Sequence, residues 1–85
     1  MEKTSVTLKI KEIIADVADL DVAEIADDAQ FIDDLELDSL SLLEIGVDVD
    51  YEFKLGVPEE RLSRLRSIPE TVALVEEVLA QQVAA

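Results

Sequence analysis

Between Ser39 and Phe53 the chain carries apolar residues on two opposite sides of a helix. At about 100° per residue, Leu42, Ile45, Val49 and Phe53 share one side, with Gly46 beside them. Leu40, Leu43, Val47 and Tyr51 share nearly the opposite side. A helix on the outside of an 85-residue domain cannot easily bury both stripes. The first stripe therefore reads as core. The second reads as an exposed apolar strip, rimmed by Glu44 and Asp48 on one flank and by Asp50 near the other. The plain alternatives are that part of it packs beneath a neighbouring loop, and that Glu44 and Asp48 are ordinary solvated surface.

The length allows one domain, residues 1–85, with a single small core. Aromatic residues are few, so Val, Leu, Ile and Ala must build that core, which suits a helical bundle. Val6, Ile10, Ile13, Ile14 and Val17 predict a first helix over roughly residues 4–19, with Thr4 or Ser5 as cap. From Leu20 to Asp38 the periodicity breaks up. Val22-Ala23-Glu24-Ile25 suggests one helical turn, and Phe31, Leu35 and Leu37 read as anchors of a long connection. The second helix runs from Ser39 to Phe53 or Lys54, with Gly56 placed to end it and Pro58 beyond. Residues 59–66 predict a short third helix with Leu62 and Leu65 inward. Ser67-Ile68-Pro69-Glu70 has the form of a capping box before a fourth helix carrying Val72, Val75, Val78, Leu79 and Val83. The expected fold is all-α: a four-helix bundle with a long loop after helix 1 and a short third helix.

The formal charge is −14 at pH 7, and every charged residue from Glu12 to Glu52 is acidic. Such a surface argues against nucleic acid and anionic membranes and towards soluble partners with basic patches. With no cysteine and no histidine, the chain lacks a thiolate nucleophile, a cysteine zinc site and the usual general base. No run of about 18 apolar residues offers a membrane span, and no apolar signal core follows Glu2 and Lys3. A soluble, cytoplasmic monomer is the expectation. Arg61, Arg64 and Arg66 read as counter-charges to nearby carboxylates, with contact to a phosphate or a partner as the alternative.

The stretch Asp34-Leu35-Glu36-Leu37-Asp38-Ser39-Leu40 closes the long connection and opens the second helix. A serine in such a place is commonly just a helix cap. As a nucleophile it would lack a base, and the glycines of a Gly-x-Ser-x-Gly elbow are replaced by Leu37 and Ser41. A calcium loop starting at Asp34 fails, because Ser39 stands where glycine is needed and Ile45 where a bidentate glutamate is needed. A hydroxyl to be modified by another enzyme remains.

Asp38-Ser39-Leu40 resembles the Asp-Ser-Leu motif of acyl carrier proteins, and the flanks extend the resemblance over essentially the whole chain. Phe31, Asp34-Leu35, Glu44-Ile45, Phe53 and Val57-Pro58 stand where that family has its anchoring aromatic, its Asp-Leu, its Glu-Leu and the end of its second helix. The resemblance implies a discrete, non-catalytic carrier. A phosphopantetheinyl transferase would attach 4′-phosphopantetheine from coenzyme A to Ser39, and the arm would present acyl thioesters to fatty-acid, polyketide or specialised lipid enzymes with basic docking patches. It further implies docking through Asp38, Leu40, Leu43, Glu44, Val47, Asp48 and Tyr51. A chain pocket is expected near Leu42, Gly46, Val57, Leu62 and Ile68; the missing side chain of Gly46 either widens it or lets another helix approach closely. Glu36 for a common glycine, Leu37 for a common small residue and Ser41 for a common aspartate point away from the housekeeping fatty-acid carrier. The alternatives are a peptidyl or aminoacyl carrier, or a non-carrier acidic interaction module in which Ser39 is only a cap. Glu36-Leu37, where peptidyl carriers more often have Gly-Gly, leans away from the former.

Overall fold

Helical periodicity and breakers set the element order. The structure, a computed structural model, describes residues 3–84. It contains α1 (Lys3–Ala18), a 3₁₀ turn (Val22–Glu24), α2 (Ser39–Phe53), α3 (Glu59–Leu62) and α4 (Ile68–Ala84). α1 packs against both α2 and α4, while α3 packs on α2. The expected four-helix bundle is thus the observed one.

One core joins all four helices. Val6, Ile10 and Ile14 of α1 meet Ile45 and Val49 of α2, Leu62 of α3, and Ile68, Val72 and Val75 of α4 in a single buried cluster. Each such aliphatic side chain contributes roughly 1.5–3 kcal/mol when fully buried, which lets a core with few aromatics hold. Phe31 enters this cluster from the long connection, and Leu37 joins it just before α2.

The helix ends differ in detail from the sequence reading. Thr4 and Ser5 lie inside α1 rather than ahead of it. α2 ends at Lys54, which takes the left-handed conformation (φ 54°), while the Leu55 N–H closes on the Asp50 carbonyl at 3.1 Å. Gly56 (φ 69°) makes the following bend instead. α1 ends in the same manner at Asp19 (φ 58°), with the Leu20 N–H bonded to the Ala15 carbonyl. α3 is half the expected length; a turn at Ser63 and Arg64 follows it, and the Arg66 guanidinium donates to the Ser63 carbonyl at 2.8 Å. At the start of α4, Ser67 Oγ accepts the Glu70 N–H at 3.3 Å, as the capping pattern predicts.

The long connection is fastened rather than loose. Gln30 forms an isolated antiparallel bridge with Ser67. Around it, the Phe31 N–H donates to the Arg66 carbonyl (2.8 Å) and the Ile68 N–H to the Ala29 carbonyl (3.1 Å). The segment that leads into α2 is therefore tied to the segment that leads into α4.

Candidate functional site

Residues 30–38 place Ser39. The Asp34 carboxylate accepts the Gln30 N–H at 2.7 Å, and the Asp34 and Leu35 N–H groups return to the Gln30 carbonyl. The chain then reverses through Glu36 in the left-handed region (φ 55°). Next, the Leu37 N–H donates to the Phe31 carbonyl at 3.0 Å and the Leu37 side chain drops into the core. Alternation turns Leu37 in and leaves Asp38, Ser39 and Leu40 exposed.

Capping falls to Asp38. Its backbone is extended (φ −90°, ψ 175°), and its Oδ1 accepts the Ser41 N–H at 2.8 Å. That N–H, aided by the Ser41 hydroxyl, holds the exposed Asp38 carboxyl below the usual carboxylate range. Ser39 is the first residue of α2, and its exposed hydroxyl makes no hydrogen bond among the described residues. A serine that merely capped the helix would be bonded to the first turn. This one is free. Sequence reasoning did not separate the two roles, since Asp and Ser are both favoured at the cap.

The site is open, polar and at the mouth of a 15-residue helix. Its geometry suits an acceptor hydroxyl that another enzyme must reach, and the N-terminal N–H groups favour a phosphate there.

The model of the family described as the phosphopantetheine attachment site matches residues 8–75. The chain belongs to this family, that of the acyl carrier proteins. It is 43% identical over 67 residues to the polyketide-8 synthase acyl carrier protein 2 of Streptomyces avermitilis, covering 79% of this chain and 77% of that one. To an acyl carrier protein of Rhodococcus erythropolis it is 33% identical over 73 residues, covering 86% and 80%. To the meromycolate extension acyl carrier protein of Mycobacterium tuberculosis it is 36% identical over 69 residues, covering 81% of this chain and 60% of the relative. This acyl carrier protein therefore has a carrier role in fatty-acid, polyketide or related lipid biosynthesis, with phosphopantetheine as its group. The family is a non-catalytic carrier domain.

On α2 of the carrier, the outer strip is solvent-facing at both ends. Leu40 is 73% exposed, Val47 42% and Tyr51 83%, while Leu43 between them is half-buried. Glu44 is exposed and Asp48 half-buried, and neither meets a cation among the described residues. Asp50 is different. Its Oδ1 accepts the Val57 N–H at 2.9 Å, so it braces the α2–α3 connection rather than rimming the strip.

The expected pocket residues divide. Leu42, Gly46, Leu62 and Ile68 are buried and Val57 is half-buried. The space left by the missing side chain of Gly46 is taken by α3. A Cβ there would lie 2.8 Å from Leu62 Cβ and 3.3 Å from the Leu62 carbonyl oxygen. The glycine serves close approach of two helices, the second of its two readings, and not the widening of a pocket. Of the three arginines, Arg61 pairs with Glu77 at 3.2 Å, Arg66 serves backbone carbonyls, and Arg64 has no ion pair among the described residues. No described helix is long and apolar enough to cross a membrane.

Proposed function

We propose that Ser39 Oγ is the attachment point of the 4′-phosphopantetheine arm. On it the chain would carry acyl groups for polyketide or specialised lipid synthesis, in the cytoplasm. One observation carries this reading: the Ser39 hydroxyl is exposed and unbonded at the first turn of α2 while Asp38 does the capping beside it. The arm, once bound, supplies the thiol that the cysteine-free chain lacks and holds cargo as a thioester. The chain's own residues hold the acceptor in place. Phe31 and Leu37 fix the loop and Asp38 fixes the first turn; the positive end of α2 would favour a phosphate on Ser39, while the Asp38 carboxylate would oppose it.

Removing the hydroxyl proton falls to a phosphopantetheinyl transferase. The Asp38 carboxylate, depressed in pKa and committed to Ser41, is a poor base. Leu40, Leu43, Val47 and Tyr51 supply apolar contact to that enzyme and to the acyl-processing enzymes. Asp38, Glu44 and Asp48 steer their basic patches. The replacements Glu36, Leu37 and Ser41 and the likeness to a polyketide synthase carrier support the specialised pathway.

Intact mass after incubation with coenzyme A and a broad-specificity transferase tests the assignment. Wild type is expected to gain one phosphopantetheine and Ser39→Ala none. An unmodified wild type that is folded by circular dichroism, or a modified Ser39→Ala, would overturn it.

A further inference from the structure

α1 and α4 leave a groove between them, away from Ser39 and the outer strip of α2. Its volume is about 520 Å³, and it is lined by both helices and by Asp27 of the long connection. None of its described lining residues belongs to α2 or α3. The apolar part is Leu8 of α1 with Pro69, Val72 and Ala73 of α4. Leu8 stands off the buried stripe of Val6, Ile10 and Ile14 and is 49% exposed. Of the other large apolar side chains exposed among the described residues, Ile32 lies in the loop and Leu40, Val47 and Tyr51 form the α2 strip. Leu8 therefore marks a separate apolar surface.

Charge selects what this groove can take. The cation in its lining, Lys11, is only 16% exposed and is already bonded to Asp27 at 2.7 Å. Glu76, on the α4 side, is half-buried and meets no cation among the described residues. The apolar surface thus carries an uncompensated carboxylate beside it. An anionic ligand would find no free cation there, and a second copy of the chain, itself at −14, would be repelled. A basic partner is favoured. Pro69, Val72, Ala73 and Glu76 run along two turns of α4, about 10 Å. An amphipathic helix laid in such a groove sets an apolar side chain against Leu8 and Ala73, and a lysine or arginine one turn on, within reach of Glu76.

We propose that the α1–α4 groove is a second docking surface, taking a basic amphipathic helix of a partner protein. On the carrier reading above, a chain held there keeps Ser39 and the α2 strip available to the enzymes that act on its cargo.

The experiment titrates the full, isotope-labelled chain at low salt with a synthetic peptide of about four helical turns, leucine on one face and lysine on the other. Backbone amide shifts are followed residue by residue. Shifts are expected at Leu8, Lys11, Ala73 and Glu76. The Kd read from those amides should weaken about fivefold or more in Leu8→Ser and in Glu76→Lys, while any shifts on α2 stay as in wild type. Shifts confined to α2, or groove shifts of unchanged affinity in both variants, would overturn the site. Equal binding of a peptide with glutamate in place of lysine would overturn the basic partner. A concentration-dependent dimer in sedimentation, lost in Leu8→Ser, would assign the groove to a second copy instead. Leu8→Ser, folded by circular dichroism, is expected to take the phosphopantetheine arm at the wild-type rate. Slower modification would overturn the independence of the groove from the α2 surface. A wild type that takes no arm overturns the carrier reading, and the groove shifts then stand without it.

Discussion

Asp38 and Ser39 are neighbours, both exposed, and only one of them is held. Replacing Asp38 by alanine removes the acceptor for the Ser41 N–H, so Asp38→Ala is expected to lower Tm and fray the first turn of α2, seen by circular dichroism and amide exchange. The pH dependence has a definite sign. The folded carboxyl is held below its ordinary range, so its contribution is full above the unfolded value and is lost as pH falls through the lowered one. The Tm difference between wild type and Asp38→Asn should be flat above about pH 5 and change only under about pH 4. Glu36 offers a change in the opposite direction. It occupies a left-handed position (φ 55°) that costs a side-chain-bearing residue roughly 1–2 kcal/mol. Glu36→Gly is expected to stabilise the chain by up to about 1 kcal/mol in urea unfolding, after the extra freedom of glycine in the unfolded state is subtracted. The motif made Ser39 legible from sequence, whereas the left-handed bend at Glu36 was not read there. That Asp38 rather than Ser39 bonds the first turn was not legible, because it depends on which of two good capping residues has the extended backbone.

At the level of elements, α2 and α4 were readable because long apolar periodicities name their own buried faces. Leu42, Ile45, Val49 and Phe53 all lie in the core. The ends were harder. Glycine is the usual left-handed terminator, yet Asp19 and Lys54 do that work here, and no local signal marks a lysine for it. Gly46 was legible as an anomaly and open in meaning, since only the position of α3 decides between a gap and a contact. The contact makes a prediction. Helix propensity alone would have Gly46→Ala stabilise by roughly 1 kcal/mol. The crowding against Leu62 reverses the sign, and a net loss of about 1–3 kcal/mol is expected in chemical denaturation. The same variant should weaken protection of α3 amides before those of α1.

Across the whole molecule, charge is arranged so that the outer face of α2 is left uncompensated. Lys9 and Lys11 of α1 pair with Glu52 and Asp27, and Arg61 pairs with Glu77, while Glu44 and Asp48 face solvent without a cation among the described residues. Reversing both, Glu44→Lys with Asp48→Lys, is expected to slow modification by a transferase with a basic docking face by about tenfold or more at low ionic strength. The loss should shrink as salt is added, which a stopped-flow or timed mass assay resolves. The tie between Gln30 and Ser67 reaches further still. It joins the approach to Ser39 to a stretch made much later in the chain, so the two close a long loop whose entropy must be spent before either is ordered. A growing chain that has not yet exposed Arg66 and Ile68 has no partner for Phe31 or Ala29 and cannot hold the serine at the mouth of α2. The order of the loop ahead of Ser39 thus depends on a stretch of chain more than thirty residues further on.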